Sequence, residues 1–474
     1  MFNFFDILQF IVDNVIFIYV VAICSTYIFL SIMSAIYLSK YIRKNSFIDY
    51  TSIISSPLAP SVSIIAPAYN ESKTIIENVR ALMSLYYPNF EVIIVNDGST
   101  DNSLDLLIKE YNLEPVNYAS NDHIETQFVR NIYKSRNKSF GNLIVIDKEN
   151  GGKADSLNAG LNVANKEYFV AIDVDSIIDP YALLKIAKPF LEEKDKKIIA
   201  TGGVIRIANS CVINNGQVLE VKLPNKFLAR MQVLEYTRAF LMGRMAWSAL
   251  DGLLLISGAL GMFNKEIAIK CGGYLTSTVG EDMELVVRMR SFMVKTKQKY
   301  KVAYVPDPLC WTEVPESIKI LGRQRNRWTR GTIDTLFIHR KMFFNPKYGL
   351  MGMLSYPFWF FFEWLAPLVE TFGIFYFLLM ALLGQIHWSF FMLLLLFVYV
   401  FALSFSTYSL LFEELTYHKY EKKREVLRLF LIAFLEPFLY HPLIVWFAIK
   451  GNWDFFVNRQ RAWGKMERKG FESK

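Results

Sequence analysis

From residue 62 to residue 172, short β-rich apolar runs alternate with segments of helical period. Strands are predicted at Val62–Ala66, Glu91–Val95, Asn142–Ile146 and Tyr168–Ile172, and helices beginning near Glu71, Asp101, Lys153 and Pro180. Such alternation predicts an α/β domain with a mostly parallel sheet and helices on both faces. Ligands of such sheets bind beyond the carboxyl ends of the strands. The polar stretch from Asn112 to Ser139 reads as a surface insertion.

The flanks follow another pattern. Val15–Leu38 runs for 24 residues, and Thr371–Phe412 for 42, without Asp, Glu, Lys or Arg. A membrane span needs about 20 apolar residues. The first run therefore predicts one span, and the second about two with a turn near Gly384-Gln385. Aromatic-rich Met351–Glu370 and Leu429–Ile449 are further candidates, the latter interrupted by Glu436-Pro437 and His441-Pro442. No Lys or Arg precedes the first run, whereas Lys40, Arg43 and Lys44 follow it, which predicts a cytoplasmic middle region. The expected division is an N-terminal helix and linker (1–50), a cytoplasmic domain (51–340), C-terminal transmembrane helices (341–450) and a basic tail (451–474). A full crossing by Leu429–Ile449 puts that tail outside; a broken or re-entrant segment keeps it inside, as the positive-inside tendency favours. Asn225–Leu250 reads as an amphipathic helix on the cytoplasmic membrane face.

Composition sharpens this picture. Apolar residues are 53% and charged residues 20%, against about 45–50% and about 25% in soluble domains, which excludes a wholly soluble or disordered chain. The net charge of +8 arises beside apolar segments, where anionic headgroups attract basic residues, so nucleic acid is not the expected partner. The four cysteines show neither a CxxC pair nor zinc spacing.

Each predicted strand end carries polar residues. The first runs into Pro67-Ala68-Tyr69-Asn70-Glu71, the second ends in Asn96-Asp97-Gly98-Ser99, and the strand at Tyr168 ends in Asp173-Val174-Asp175. A single Asp there is explained as a helix cap; three on successive units point to chemistry. Asp173 and Asp175 can approach one hard cation, and Mg²⁺ or Mn²⁺ shares its oxygen shell with substrate phosphates. Asn150-Gly151-Gly152-Lys153 sets a cation at a helix start without P-loop spacing. Glu281-Asp282 opens a helix, where acidic residues also suit the dipole, and offers a general base. Gln324-Arg325-Asn326-Arg327-Trp328 combines diphosphate-binding groups with an aromatic face, and also suits an interfacial helix.

Taken in order, these motifs resemble the membrane-embedded, processive family-2 glycosyltransferases, a group that includes cellulose, hyaluronan and chitin synthases. The texture lies nearest the bacterial poly-N-acetylglucosamine synthases. The resemblance covers about Val62 to Gly331. It implies a GT-A, nucleotide-diphospho-sugar transferase fold beside an α-helical transmembrane region. Ala68, Tyr69, Asn70, Glu71, Asp97, Lys153 and Asp173 would bind the UDP-sugar, and Asp173 with Asp175 would hold Mg²⁺ or Mn²⁺. Asp282, with Glu281 beside it, would take the acceptor's proton. Gln324 and Arg327 would steady the diphosphate, while Trp328 stacks on the acceptor sugar.

The expected activity is processive, inverting transfer from UDP-GlcNAc or UDP-glucose to a growing polysaccharide, which passes through the protein's own helices. The resemblance places the protein in the lipid bilayer of a bacterial inner membrane, with room for accessory secretion subunits. Trp359, Trp364, Trp388 and Trp446 are candidates to line the sugar path, although Trp also gathers at membrane interfaces. Two alternatives stand beside this reading. One is single addition to a lipid-linked acceptor. The other is a transporter or scaffold using Glu363, Glu370 and Glu436, since acids within membranes often mark ion pathways.

Overall fold

The computed structural model describes residues 4–45, 58–118, 123–214, 216–417 and 422–458, together with Tyr50, Ile54, Ser56 and Tyr420. All four predicted strands form within two residues of their expected ends: Val62–Ala68 (β1), Phe90–Asp97 (β2), Leu143–Lys148 (β5) and Tyr168–Ala171 (β6). Between β2 and β5 lie Leu113–Pro115 (β3) and Val129–Ser135 (β4), and after β6 come Ile177–Ile178 (β7) and Lys197–Ile207 (β8). Val212–Asn214 (β9) and Gln217–Glu220 (β10) form a separate hairpin, followed by Gly261–Asn264 (β11) and Tyr300–Thr312 (β12). The main sheet has the order β3-β4-β5-β2-β1-β6-β11-β8-β12-β7.

β5, β2, β1 and β6 are parallel, as their near-continuous apolar sequences dictate. The sheet as a whole is mixed, because β11 runs antiparallel to both β6 and β8. The stretch expected to be a surface insertion instead extends the sheet: β3 and β4 pair antiparallel beside β5. Ile124, from the same stretch, is buried, and the Asn162 side chain bonds both its N–H and its carbonyl.

Among the described residues, two helices are long and apolar enough to cross a membrane: the first, Phe4–Asn45, over Ile7–Asn45, and Trp388–Thr416. Two further pairs qualify only when each is joined across a bend. These are Met351–Trp364 with Ala366–Leu382, bent by 41°, and Lys423–Leu439 with His441–Phe456, bent by 45°. The predicted turn falls between Leu382 and Trp388, where Gly384 takes a φ of +67°. The predicted interruption falls at Tyr440, with Pro442 in the first turn of the next helix, where its missing N–H costs nothing. The basic tail beyond residue 458 lies outside the described residues.

Residues 225–250 differ from the one-faced helix expected. Phe227–Thr237 continues through a π-helical stretch, Arg238–Arg244, into Met245–Ala249, and it is covered on several sides. Met231, Leu234, Leu241, Met242 and Met245 are at most 1% exposed. The segment is packed between the sheet and the membrane-length helices: Ser34 Oγ donates to the Leu241 carbonyl, and Arg238 pairs with Glu436 at 2.9 Å.

Candidate active site

The ends of β1 and β2 are joined by side chains bonding to the neighbouring loop. Asn70, at φ +58°, accepts at Oδ1 from Thr100 N (2.8 Å) and Asp101 N, while Ser99 and Ser103 hydroxyls accept from Asn70 and Glu71 N–H groups. Ala68 is buried at the strand end and Tyr69 is 47% exposed. Asp97 is buried with both oxygens occupied. Oδ1 accepts from Lys148 Nζ (2.6 Å) and Gly151 N (2.9 Å), and Oδ2 from Gly152 N (2.8 Å) and Asn150 Nδ2 (3.2 Å). The carboxylate thus fixes the Gly151-Gly152 loop that delivers Lys153. Gly98 leaves room for this, since a Cβ there would stand 2.8 Å from Asn150 N.

Lys148 is completely buried and also pairs with Asp155 at 2.6 Å. Its neighbour in sequence, Asp147, accepts from Arg130 Nε (2.8 Å) and Asn96 Nδ2 (2.7 Å). Sequence reasoning missed Lys148 and Asp155. The available signal was the charged pair Asp147-Lys148 closing an apolar strand, where a buried cation requires anionic partners.

Lys153 Nζ then reaches Asp173 Oδ1 at 2.7 Å, the Gly258 carbonyl at 3.4 Å and Glu281 Oε1 at 4.0 Å. Burial alone would lower the Lys153 pKa, but Asp173, Asp282 and Glu281 hold it above the ordinary lysine range. Glu281 is pushed up to about 7 by burial and by Asp282 beside it, against Lys153 and Arg327. Burial raises Asp282 as well; Lys153 and Arg327 oppose the rise, Asp173 adds to it, and a backbone hydrogen bond from Gly258 favours the ionised form. Gly258 is a third residue that the sequence does not reveal. A Cβ there would lie 2.1 Å from Asp282 Oδ2, so only glycine admits the carboxylate at its present position.

The helix Ile318–Ile338 approaches from the other side. Its crossing with the Glu281 helix is glycine on glycine: a Cβ on Gly280 would stand 2.7 Å from both Cα and O of Gly331. Gln324, Arg327 and Trp328, spaced i, i+3, i+4, share one face and line the same cavity as Lys153, Asp173, Glu281 and Asp282. Of the two intervening residues, Arg325 also lines the cavity and Asn326 does not. Arg325 pairs with Glu235 at 2.6 Å, and Asn326 Nδ2 donates to Asp454 at 2.6 Å.

The cavity holds about 2170 Å³ and continues from these charged groups past Glu235, Arg238 and Arg244 to Trp359, Glu363, Trp364 and Phe405. Of the four candidate tryptophans, Trp359 and Trp364 line it, whereas Trp388 and Trp446 are 57% and 64% exposed and do not. Ala68, Tyr69, Asn70, Glu71, Asp97 and Asp175 also lie outside its lining. Asp175 is buried, whereas the Asp173 side chain is 28% exposed. No group of three or more His, Cys, Asp or Glu among the described residues gathers to hold a metal. A divalent cation that takes one or two carboxylates and completes its shell from substrate phosphates and water fits this donor set.

Comparison with known proteins accords with this geometry. The model described as "Glycosyl transferase family 2" matches residues 63–248, and "Glycosyl transferase family group 2" matches residues 168–405, half of the chain. The poly-beta-1,6-N-acetyl-D-glucosamine synthase of Staphylococcus epidermidis is 29% identical over 275 residues, 58% of this chain and 55% of that protein. Its namesake in Staphylococcus aureus strain COL is 27% identical over 279 residues, with coverages of 58% and 55%. The match thus spans about half the length of these curated relatives. Among solved structures, a mannosyltransferase from Pyrobaculum calidifontis in complex with GDP-Man and Mn²⁺ is 16% identical with a TM-score of 0.49, covering 92% of this chain and 100% of that one. Staphylococcus aureus TarS in complex with UDP is 18% identical with a TM-score of 0.33, covering 58% and 66%. The mixed sheet is of the GT-A type, and the chain belongs to glycosyltransferase family 2 and is a glycosyltransferase.

Proposed function

We propose that the protein is a processive, inverting β-glycosyltransferase. It extends a polysaccharide from UDP-GlcNAc or UDP-glucose and passes the product along its membrane helices. The observation that carries this reading is one continuous cavity: Asp282, Lys153 and Arg327 sit at one end, and it extends among membrane-length helices. The similarity to poly-beta-1,6-N-acetyl-D-glucosamine synthases favours UDP-GlcNAc. Residues 51–340 form the catalytic domain on the cytoplasmic side of a bacterial inner membrane, between helices in 1–50 and 341–450 and ahead of a basic tail. Accessory secretion subunits are compatible with this arrangement.

The chemistry follows from the charges. The acceptor hydroxyl attacks the anomeric carbon and gives its proton to Asp282, the bond to UDP breaks, and UDP leaves with the bonding pair. One base suffices for inversion, and a base in position contributes about 10²–10⁴-fold. Arg327 and Gln324 face the charge developing on the diphosphate, where cationic and polar donors stabilise the transition state selectively. Lys153 sits beside Asp173 and Glu281, which keep it protonated for the donor. Mg²⁺ or Mn²⁺ held by Asp173, with Asp175 close in sequence, supplies neutralisation of the diphosphate when bound. Ala68–Glu71 and Asp97 form the wall for the nucleotide, and Trp328 is the platform for the acceptor.

The test is the full-length protein in nanodiscs with Mg²⁺ or Mn²⁺ and individual UDP-sugars, reading UDP release and product size. A high-molecular-weight ladder with one donor, absent in Asp282→Asn, supports the proposal. A single sugar added to a lipid refutes processivity, and no release with any donor refutes the donor class.

A further inference from the structure

Arg325, next to the cavity-facing Gln324, is only 4% exposed. Its guanidinium lies over the Trp328 ring, 4.0 Å from the centroid. One terminal nitrogen, Nη2, is anchored twice: to Glu235 Oε2 at 2.6 Å and to the Tyr440 hydroxyl at 3.2 Å. The Tyr440 hydroxyl itself donates to Glu235 at 2.5 Å, closing the triangle. Nε and Nη1 have no hydrogen-bond partner among the described residues. A buried Arg retained for pairing alone would be expected to satisfy those donors. Its face is instead committed to an aromatic ring, the use to which a planar guanidinium is suited and an ammonium is not.

The three anchors belong to three different elements. Trp328 lies on the helix lining the cavity and is 41% exposed there, Glu235 belongs to Phe227–Thr237, and Tyr440 sits at the 45° bend between two apolar helices. The bend in the membrane-length pair is therefore connected through one guanidinium to the ring at the cavity wall. We infer that Arg325, clamped by Glu235 and Tyr440, is a positioning residue that holds the Trp328 ring in place for stacking on the acceptor's terminal sugar. This rests on the acceptor role proposed for Trp328.

Product length separates this role from general damage, because length follows the ratio of extension to release while donor affinity does not. The double variant R325M/E235Q removes the cation and its anion together and leaves no buried charge unpaired. Losing the desolvated cation–π restraint on Trp328, with its whole worth passed on to acceptor binding, corresponds to roughly 30-fold faster release at most. Mean product length on gels should therefore fall, by up to roughly 30-fold, while UDP affinity by calorimetry stays within about threefold. R325K, which keeps the cation without the plane, should give intermediate lengths. Y440F, which deletes one hydroxyl and keeps the ring, should shorten products by a smaller factor. Products of wild-type length from both R325M/E235Q and Y440F overturn the inference alone, as does a fall in UDP affinity matching the fall in length. A wild-type protein that makes no polymer overturns the functional reading, and this inference with it.

Discussion

Gly258→Ala tests the site at its tightest point. The added methyl carbon would stand 2.1 Å from Asp282 Oδ2 and 2.7 Å from both Cγ and Oδ1, whereas ordinary contact begins at 3.4 Å. Restoring contact moves the carboxylate by about 1.3 Å, the difference between 2.1 and 3.4 Å. The Gly258 φ lies outside the left-handed region, so the alanine itself imposes no backbone strain and the fault is confined to the acid it faces. A misplacement of about 1 Å at a reacting group costs about 10²-fold, and complete loss of the base costs about 10²–10⁴-fold. G258A should therefore lower kcat about 100-fold, with UDP affinity nearly unchanged. Because the alanine acts through Asp282, G258A/D282N should be no slower than D282N; residues acting through one contact do not add. Steady-state UDP release from all three variants provides the measurement. A G258A kcat within about threefold of wild type, or a double variant slower by the product of the single effects, refutes the reasoning.

Lys148→Met leaves Asp97 and Asp155 buried without their cation, and breaking one side of such a group costs about 3–5 kcal/mol; chemical unfolding in nanodiscs checks this, and a loss below about 1 kcal/mol contradicts it. Glu281 has a folded pKa of about 7 against an ordinary 4.5. Its contribution is accordingly complete below pH 4.5 and is lost as the pH rises through 7, so Glu281→Gln should flatten the melting temperature across that window. Gly331→Ala meets backbone atoms of Gly280 that no side-chain rotation can clear, and overpacking of this kind costs about 1–3 kcal/mol. Thermal unfolding of G331A, and of G280A for comparison, reports it. Trp388→Ala and Trp446→Ala, outside the cavity, should leave product length unchanged in the gel assay, whereas Trp359→Ala, on its wall, should alter it.

The parallel half of the sheet was legible because β1, β2, β5 and β6 are buried apolar runs separated by helices of ordinary period. β8 and β12 were not. β8 carries Thr201-Gly202-Gly203 in mid-strand, which reads as a turn, and β12 contains Pro306 and Pro308, which normally argue against a strand. The sheet accommodates them where the β12–β8 register shifts between Val305 and Pro308. The π-helical stretch after Thr237 has no periodicity from which to read it. At the site, a strand end pointed to Asp173, helix starts to Lys153, Glu281 and Asp282, and the combination of diphosphate-binding groups with an aromatic face to Gln324, Arg327 and Trp328. Gly258 was invisible for a physical reason: its role is to lack a side chain opposite a residue 24 positions away, and no local pattern records that distance. The family resemblance implies a nucleotide-binding role for Asp97, at the end of β2. Its bonds to Lys148 and the Asn150–Gly152 loop make it, first, the anchor of that loop.

The acids near and within the apolar helices bear on whether the membrane part is an ion pathway or a support for the transferase. Four of them, Glu363, Glu370, Glu413 and Glu436, have partners, and two of those partners come from the sheet side of the molecule. Glu413 pairs with Arg206 of β8, and Glu436 with Arg238 of the buried π-helical stretch, at 2.9 Å. Glu370 meets His441 at 2.8 Å, and Tyr27 donates to Glu363 at 3.4 Å. Buried ion pairs add little net stability because desolvation opposes their attraction. Their attested use is to fix register, since a shifted helix leaves two charges unpaired. Arg206 and Arg238 thus specify how Trp388–Thr416 and Lys423–Leu439 sit against the domain carrying Asp282. Asn326–Asp454 and Arg325–Tyr440 do the same for the last two helices. A cavity that runs from the carboxylate proposed as the base into a helical bundle works only if its two halves keep one alignment, and these pairs are placed where that alignment is set.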